Sequence, residues 1–248
     1  MNLGRKPTII ALAKHKGGVG CSTLCWALAS VWAERLKLLV FDFDPQSTVT
    51  VALCDPCATS GYDLLSGRAL ANDVITNALP EYSPSLKIIP ASSLLARLDV
   101  ETAARFDRAH LVADALDSIR EFDIVLMDCP PSQGSILSIG PLAAADYAIL
   151  PCSCDDASFQ QVSRFKQTLE MVQKRLRPEL QWLPIAANLY DHRQIMDRQV
   201  LKSLRDNYRV FQSVVPKRIL IREQMANRTP CTNPELRELA SEILEELK

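Results

Sequence analysis

Glycine is scarce in this chain, eight residues in 248. Long apolar runs are missing too: no stretch approaches the ~18–20 residues that a membrane span needs. Nothing resembles a signal peptide, because Met1 to Pro7 is polar and the apolar run behind it is short. No Pro/Gly/Ser-rich linker, repeat or low-complexity tract divides the sequence, so residues 1–248 read as a single domain. With 48% hydrophobic residues the chain can bury one large core. These absences predict a cytoplasmic protein. The eight cysteines then read as free thiols in a reducing compartment rather than as a disulfide framework. Cys54 with Cys57 and Cys152 with Cys154 form two close pairs. Together they supply a four-ligand candidate for zinc, set against the simpler reading of small buried apolar side chains.

Three of the few glycines fall together, in Lys14-His-Lys-Gly-Gly-Val-Gly-Cys-Ser-Thr23. An apolar, strand-like run (Thr8 to Ala13) precedes this stretch, and a helical pattern (Thr23 to Glu34) follows. Strand, glycine loop and helix in that order make a phosphate-binding loop. Gly17, Gly18 and Gly20 permit backbone conformations that let successive N–H groups converge on phosphate oxygens. Ser22 offers magnesium a hydroxyl, and the helix adds its positive N-terminal end. The usual motif ends Gly-Lys-Ser/Thr; here Cys21 holds the lysine position.

Further strand-like runs are Leu38–Phe43, Leu86–Pro90, Ile124–Asp128, Tyr147–Leu150 and Trp182–Asn188, with Val210–Val215 as another candidate. Helical patterns lie between them at Glu101–Ile119, Ser158–Arg175, Gln194–Asn207 and Pro234–Leu247. This alternation predicts an α/β fold: a doubly wound, mainly parallel sheet with helices on both faces. Ligands bind such sheets at the carboxyl ends of the strands, where Asp42, Asp44 and Asp128 all fall.

The run Lys16-Gly-Gly-Val-Gly resembles the deviant Walker A loop of the ParA/MinD ATPases, and three further motifs follow in the family's order. Leu38 to Thr48 is similar to its second motif and first switch, and Asp123 to Gly134 to its Walker B strand and second switch. Asn188-Leu-Tyr-Asp-His-Arg193 and Val215-Pro-Lys-Arg218 resemble the C-terminal signature of the ParA branch. The resemblance implies a P-loop NTPase fold with ATP or ADP and Mg2+ as cofactors. Gly17, Gly18, Val19, Gly20, Cys21, Ser22 and Thr23 would hold the phosphates, with Asn188 and Pro216 also at the nucleotide. Ser22, Asp42 and Asp128 would serve the magnesium. Asp44 would orient the attacking water, and Lys16 would reach across a homodimer to the partner's nucleotide. Gly134 could present a backbone N–H near the γ-phosphate.

A charge-assisted hydrogen bond contributes ~1.5–3 kcal/mol, so Cys21 should cost roughly 10- to 100-fold in nucleotide affinity unless another cation replaces the lysine. Hydrolysis should suffer at least as much, since more charge develops on the transferred group. Lys16 is one substitute, available only in the dimer, and Lys14 is the lesser candidate. From the loop alone, Cys21→Lys should tighten ATP binding by the same roughly 10- to 100-fold. An impaired ATPase, a degenerate scaffold and an introduced substitution all fit Cys21.

Net charge is −1, yet Arg193, Arg198, Lys202, Arg205, Arg209, Lys217, Arg218, Arg222 and Arg228 crowd one segment against four acidic residues. That segment predicts phosphate contacts without base reading. By resemblance, Arg193, Lys217, Arg218 and Arg222 belong to a face that binds double-stranded DNA nonspecifically. The competing reading is a solvated helix face with pairs such as Lys202–Asp206. The C-terminal stretch is acidic and lacks aromatics, unlike the basic membrane helix of MinD relatives, and should pack through Leu236, Leu239, Ile243 and Leu247. No extension precedes the first strand, so no separate operator-binding domain is expected. The resemblance points to a short ParA-type partition protein, nucleoid-associated and working with a ParB-like adaptor. The alternative is a non-hydrolysing scaffold that positions a secretion, pilus or cellulose-synthesis complex.

Overall fold

The computed structural model describes residues 6–79, 81–131 and 134–247. Its strands are β1 (Thr8–Leu12), β2 (Leu38–Asp42), β3 (Thr76–Asn77), β4 (Leu86–Ile89), β5 (Ile124–Asp128), β6 (Tyr147–Ile149), β7 (Pro151–Ser153), β8 (Gln181–Trp182) and β9 (Ala186–Asn188). The helices are α1 (Cys21–Trp32), α2 (Thr48–Leu53), α3 (Gly61–Leu65), α4 (Ala71–Val74), α5 (Leu98–Glu101), α6 (Leu111–Leu116), α7 (Ile136–Ala144), α8 (Ser158–Arg175), α9 (Ile195–Asn207), α10 (Ile219–Ala226) and α11 (Pro234–Glu246). Seven strands form one sheet in the order β3-β4-β2-β5-β1-β6-β8, and β7 pairs with β9 in a second. Every pairing is parallel except β3 with β4. The expected α/β architecture is present.

Burial on both faces explains why the central strands carry almost no polar residues. Side chains alternate across a strand, so Ile10 and Leu12 of β1 enter one core while Ala11 enters the other. Leu38 and Val40 of β2 divide from Leu39 and Phe41 in the same way. Helices α1, α2, α10 and α11 contribute to one core, and α3, α6, α7 and α8 to the other. Helix α11 docks as expected through Leu236, Leu239 and Ile243, with Leu247 partly buried beside them. Its cap, Asn233, accepts from the Leu236 N–H at 2.9 Å, and Trp32 donates to the Ala240 carbonyl at 2.9 Å. Among the described residues, no helix is long and apolar enough to cross a membrane.

Several expected elements differ. The helix expected over Glu101–Ile119 is broken into α5, a 3-10 turn at Arg108–His110, and α6. Arg105 grips Asp107 through two hydrogen bonds, a contact between residues two apart that helical geometry does not present. The run Trp182–Asn188 splits at Pro184, whose missing N–H cannot continue a ladder, and β8 and β9 join different sheets. Val210–Val215 forms no strand of its own: it makes a bridge between Val210 and Ile185 and one backbone bond to β9, from the Val215 N–H to the Ala187 carbonyl. Ser132 and Gln133 of the second-switch motif, and Met1 to Arg5 of the polar N-terminus, lie outside the described residues.

The cysteine pairs do not make a four-ligand set. Cys54 belongs to one core and Cys152 and Cys154 to the other, so the sheet separates them. All eight thiols are free, and only Cys57 is exposed. A thiol reagent such as Ellman's should therefore titrate one group quickly in native protein and all eight in denaturant. Prompt reaction of several thiols in the native state would contradict this packing.

Candidate functional site

Helix α1 begins directly at the glycine loop, and its N-cap Gly20 has φ +78°. Gly18 is also left-handed, at φ +81°, and a Cβ at Gly17 or Gly18 would meet nothing within 4 Å. The space above these two residues is open, as a cradle for phosphate oxygens requires. Gly20 is different: a Cβ there would stand 2.5 Å from Asn188 Nδ2. That amide donates to the carbonyls of Val19 at 2.9 Å and Gly20 at 3.3 Å. Asn188, expected at the nucleotide, thus braces the loop from the end of β9. Pro216 lies beside it on a cavity of about 240 Å³ that also takes in Ser22, Thr23 and Thr48.

The three expected carboxylates converge, because β1, β2 and β5 are neighbours with their carboxyl ends level: Leu12 and Asp42 are both in register with Asp128. Ser22 Oγ donates to Asp128 Oδ2 at 2.6 Å. The other oxygen, Oδ1, is buried without a hydrogen bond. Burial pushes the Asp128 carboxyl above the usual range, against the pull of Lys14 and Ser22. A hydroxyl beside a carboxylate with a spare oxygen suits a hard cation such as magnesium. The residues at Ser22 and Asp128 therefore fit the expected metal.

Asp42, expected at the metal, is held by the first-switch loop. Its Oδ1 accepts from the Asp44 N–H at 3.0 Å, and its Oδ2 accepts from the Thr50 N–H at 2.9 Å and hydroxyl at 2.8 Å. Both oxygens thus accept from the first-switch loop and the start of α2, which fixes the shape of that loop. Burial and the nearby Asp128 push its carboxyl upward as well. Asp44, also buried, accepts from the Gln46 N–H at 3.1 Å and from Lys14 Nζ at 3.3 Å.

Cys21 is turned inward. It is 2% exposed, and its Sγ donates to the Leu12 carbonyl at 3.5 Å. Burial, then the adjacent Asp128, pushes its thiol far up, so position 21 carries no charge. Lys16 points away from this cavity, onto Asp155 Oδ2 at 3.1 Å. Gly134 has φ +75°, and the backbone after it is anchored by Asp99, which accepts from the Ser135 hydroxyl and the Ile136 N–H.

The basic segment is less free than its composition implies. Arg193 pairs with Asp191, Arg209 with Glu246, Arg218 with Glu235 and Arg228 with Asp55. Three of those acids lie outside the segment, so the pairing does not show in a count along the chain. The Lys202–Asp206 pair of the competing reading is not formed either. Lys217 and Arg222 have no ion pair among the described residues, and both line the cavity beside the glycine loop. Sequence reasoning missed Thr50 and Asp155, whose roles depend on loop closure. It also undervalued Lys14, whose one visible signal is a lysine closing an apolar strand.

A family model described as an AAA domain matches residues 7–182. The chain is 30% identical over 224 residues to the chromosome partitioning protein ParA of Caulobacter vibrioides, spanning 87% of this chain and 82% of that protein. With the chromosome partitioning protein ParA of Myxococcus xanthus the identity is 32% over 225 residues, spanning 87% and 77%. Cobyrinic acid a,c-diamide synthase from Mycobacterium smegmatis, solved with bound ADP and magnesium, matches with a TM-score of 0.84. Its identity is 26%, with 97% of this chain and 95% of that one covered. With four ordered motifs, a parallel sheet that brings them together and relatives matched over most of their length, the chain belongs to the ParA/MinD family of P-loop ATPases.

Proposed function

We propose that this protein is a nucleotide-switched partition protein. ATP with magnesium binds on Gly17 to Thr23, and two copies then associate face to face. The dimer holds duplex DNA without sequence preference, and a ParB-like adaptor stimulates hydrolysis that releases it. The observation that carries this reading is the convergence of Ser22, Asp44 and Asp128 around the glycine loop. Kinship with chromosome partitioning proteins supports the same reading.

Within it, the loop N–H groups and the end of α1 hold phosphates. Ser22 and Asp128 hold magnesium, which supplies charge neutralisation at the phosphates. Asp44 orients a water for attack on the γ-phosphorus, with ADP as leaving group. Lys16 leaves Asp155 to reach the partner's nucleotide. Such a protein works on the nucleoid in the cytoplasm. Cys21 by itself favours the second reading, a non-hydrolysing scaffold for a larger complex, because an uncharged residue there weakens transition-state stabilisation.

A mobility-shift titration at low salt separates the two. The partition reading expects binding to any duplex, tighter with ATP than with ADP, and a steep fall with salt as counterions are released. Lys217→Ala and Arg222→Ala should each flatten the salt slope by about one unit, the worth of one phosphate contact. Arg209→Ala should leave it unchanged, since Glu246 already neutralises that guanidinium. Failure to shift DNA in every nucleotide state would put the scaffold ahead.

A further inference from the structure

We propose that Lys14 supplies the phosphate-binding cation of this loop in place of the residue at position 21. The inference rests on the nucleotide reading above and concerns only which side chain carries the charge. Within the loop itself three positions compete, while Lys217, Arg218 and Arg222 reach the same cavity from the C-terminal segment. Position 21 is a neutral thiol turned toward the Leu12 carbonyl. Lys16 rests on Asp155 in the neighbouring cavity, from which it would serve the partner's nucleotide rather than its own. Lys14 leaves the chain two residues after β1 and lines the same cavity as Gly18, Gly20 and Ser22.

Its placement is specific. The Lys14 ammonium sits 3.3 Å from Asp44 Oδ2 and 3.8 Å from Asp128 Oδ1, with only 6% of its side chain exposed. Among the described residues it is the only cation within 4.0 Å of either carboxylate. A buried ammonium is costly unless paired, so these acids fix where the stem of Lys14 must run.

Asp128 also accepts from Ser22, so Lys14 stands on the side of the loop where magnesium would sit. Without nucleotide, Lys14 neutralises both acids. With Asp44 and Asp128 facing water and metal instead, Lys14 exchanges carboxylate oxygens for phosphate oxygens at little cost in position. One buried cation thereby serves both states, and a second at position 21 would crowd it. The gain expected of Cys21→Lys from the loop sequence alone shrinks accordingly.

The test is calorimetric titration of ADP and ATP with magnesium into four proteins: wild type, Lys14→Met, Cys21→Lys and the double variant. Nucleotide-free melting is recorded alongside. Lys14→Met should weaken binding roughly 10- to 100-fold, the worth of one charged hydrogen bond. It should also reduce the rise in melting temperature that nucleotide gives wild type, which a merely structural lysine would leave intact. Cys21→Lys alone should change affinity less than about threefold, well under one charged hydrogen bond. In the Lys14→Met background it should restore most of the loss.

Wild-type affinity in Lys14→Met would overturn the inference while leaving the nucleotide reading intact. A full 10- to 100-fold gain from Cys21→Lys alone would overturn it too, since the loop would then lack a cation; roughly that gain is one charged hydrogen bond. That arm stands even if Lys14→Met does not fold. No binding by folded wild type would instead sink the nucleotide reading, and the inference with it.

Discussion

Replacing Gly20 with alanine should cost ATP affinity roughly 30-fold or more, on about 2–4 kcal/mol from left-handed strain and lost brace bonds. The strain arises because residue 20 sits at φ +78°, where a Cβ meets the following carbonyl. The lost bonds arise because that Cβ would stand 2.5 Å from Asn188 Nδ2, which holds the carbonyls of Val19 and Gly20. Relief on either side moves the loop, and the N–H groups lose their common focus. Melting should fall too, by at most roughly 4–16 °C at about 2–4 °C per kcal/mol, and by less as the loop relaxes. Affinity in Gly20→Ala equal to wild type would show that loop shape does not govern binding.

The largest loss of stability should follow Phe41→Ala. Phe41 is fully buried in β2, stacks on Phe43 at 3.9 Å between centroids, and lies under Gly61. A Cβ on Gly61 would come within 2.5 Å of its ring, so the backbone of α3 rests directly on that side chain. Truncation removes the buried area and leaves a cavity that this close contact cannot easily close, costing about 3–5 kcal/mol. At about 2–4 °C per kcal/mol for a chain of this size, melting should fall by roughly 6–20 °C. The same β2 carries Asp42 and leads into Asp44, so a loosened strand end should also weaken Mg-ATP binding. A drop of under about 3 °C, less than 2 kcal/mol, would mean that this face of the core repacks freely.

The fold was legible wherever strands were buried on both faces. Those runs are short, apolar and bounded, and the carboxylates ending them stand out because an aspartate is costly anywhere but the tip. Hence the meeting of Asp42, Asp44 and Asp128 followed from the sequence, while their division of labour did not. Asp42 differs from Asp128 only in what lies opposite: Thr50 and the Asp44 backbone in one case, Ser22 and Lys14 in the other. Such partners are set by loop closure. Long-range pairing of charge is hidden from the sequence in the same way, because Glu235, Glu246 and Asp55 reach arginines far from them in the chain. Helix α7 has no counterpart among the expected helices, and it holds Gly140-Pro141, a pair that disfavours helix. Gly140 is instead a packing position, where a Cβ would meet Val112 of α6 at 2.9 Å.

We propose the loop from Gly17 to Thr23 as a working nucleotide site despite Cys21. Calorimetric titration of ATP into folded protein, with magnesium and with magnesium chelated, tests it most directly. Saturable heat from one nucleotide per chain, with affinity falling when magnesium is removed, is the predicted result. No heat at millimolar ATP with magnesium present, from protein shown to be folded, would contradict the account.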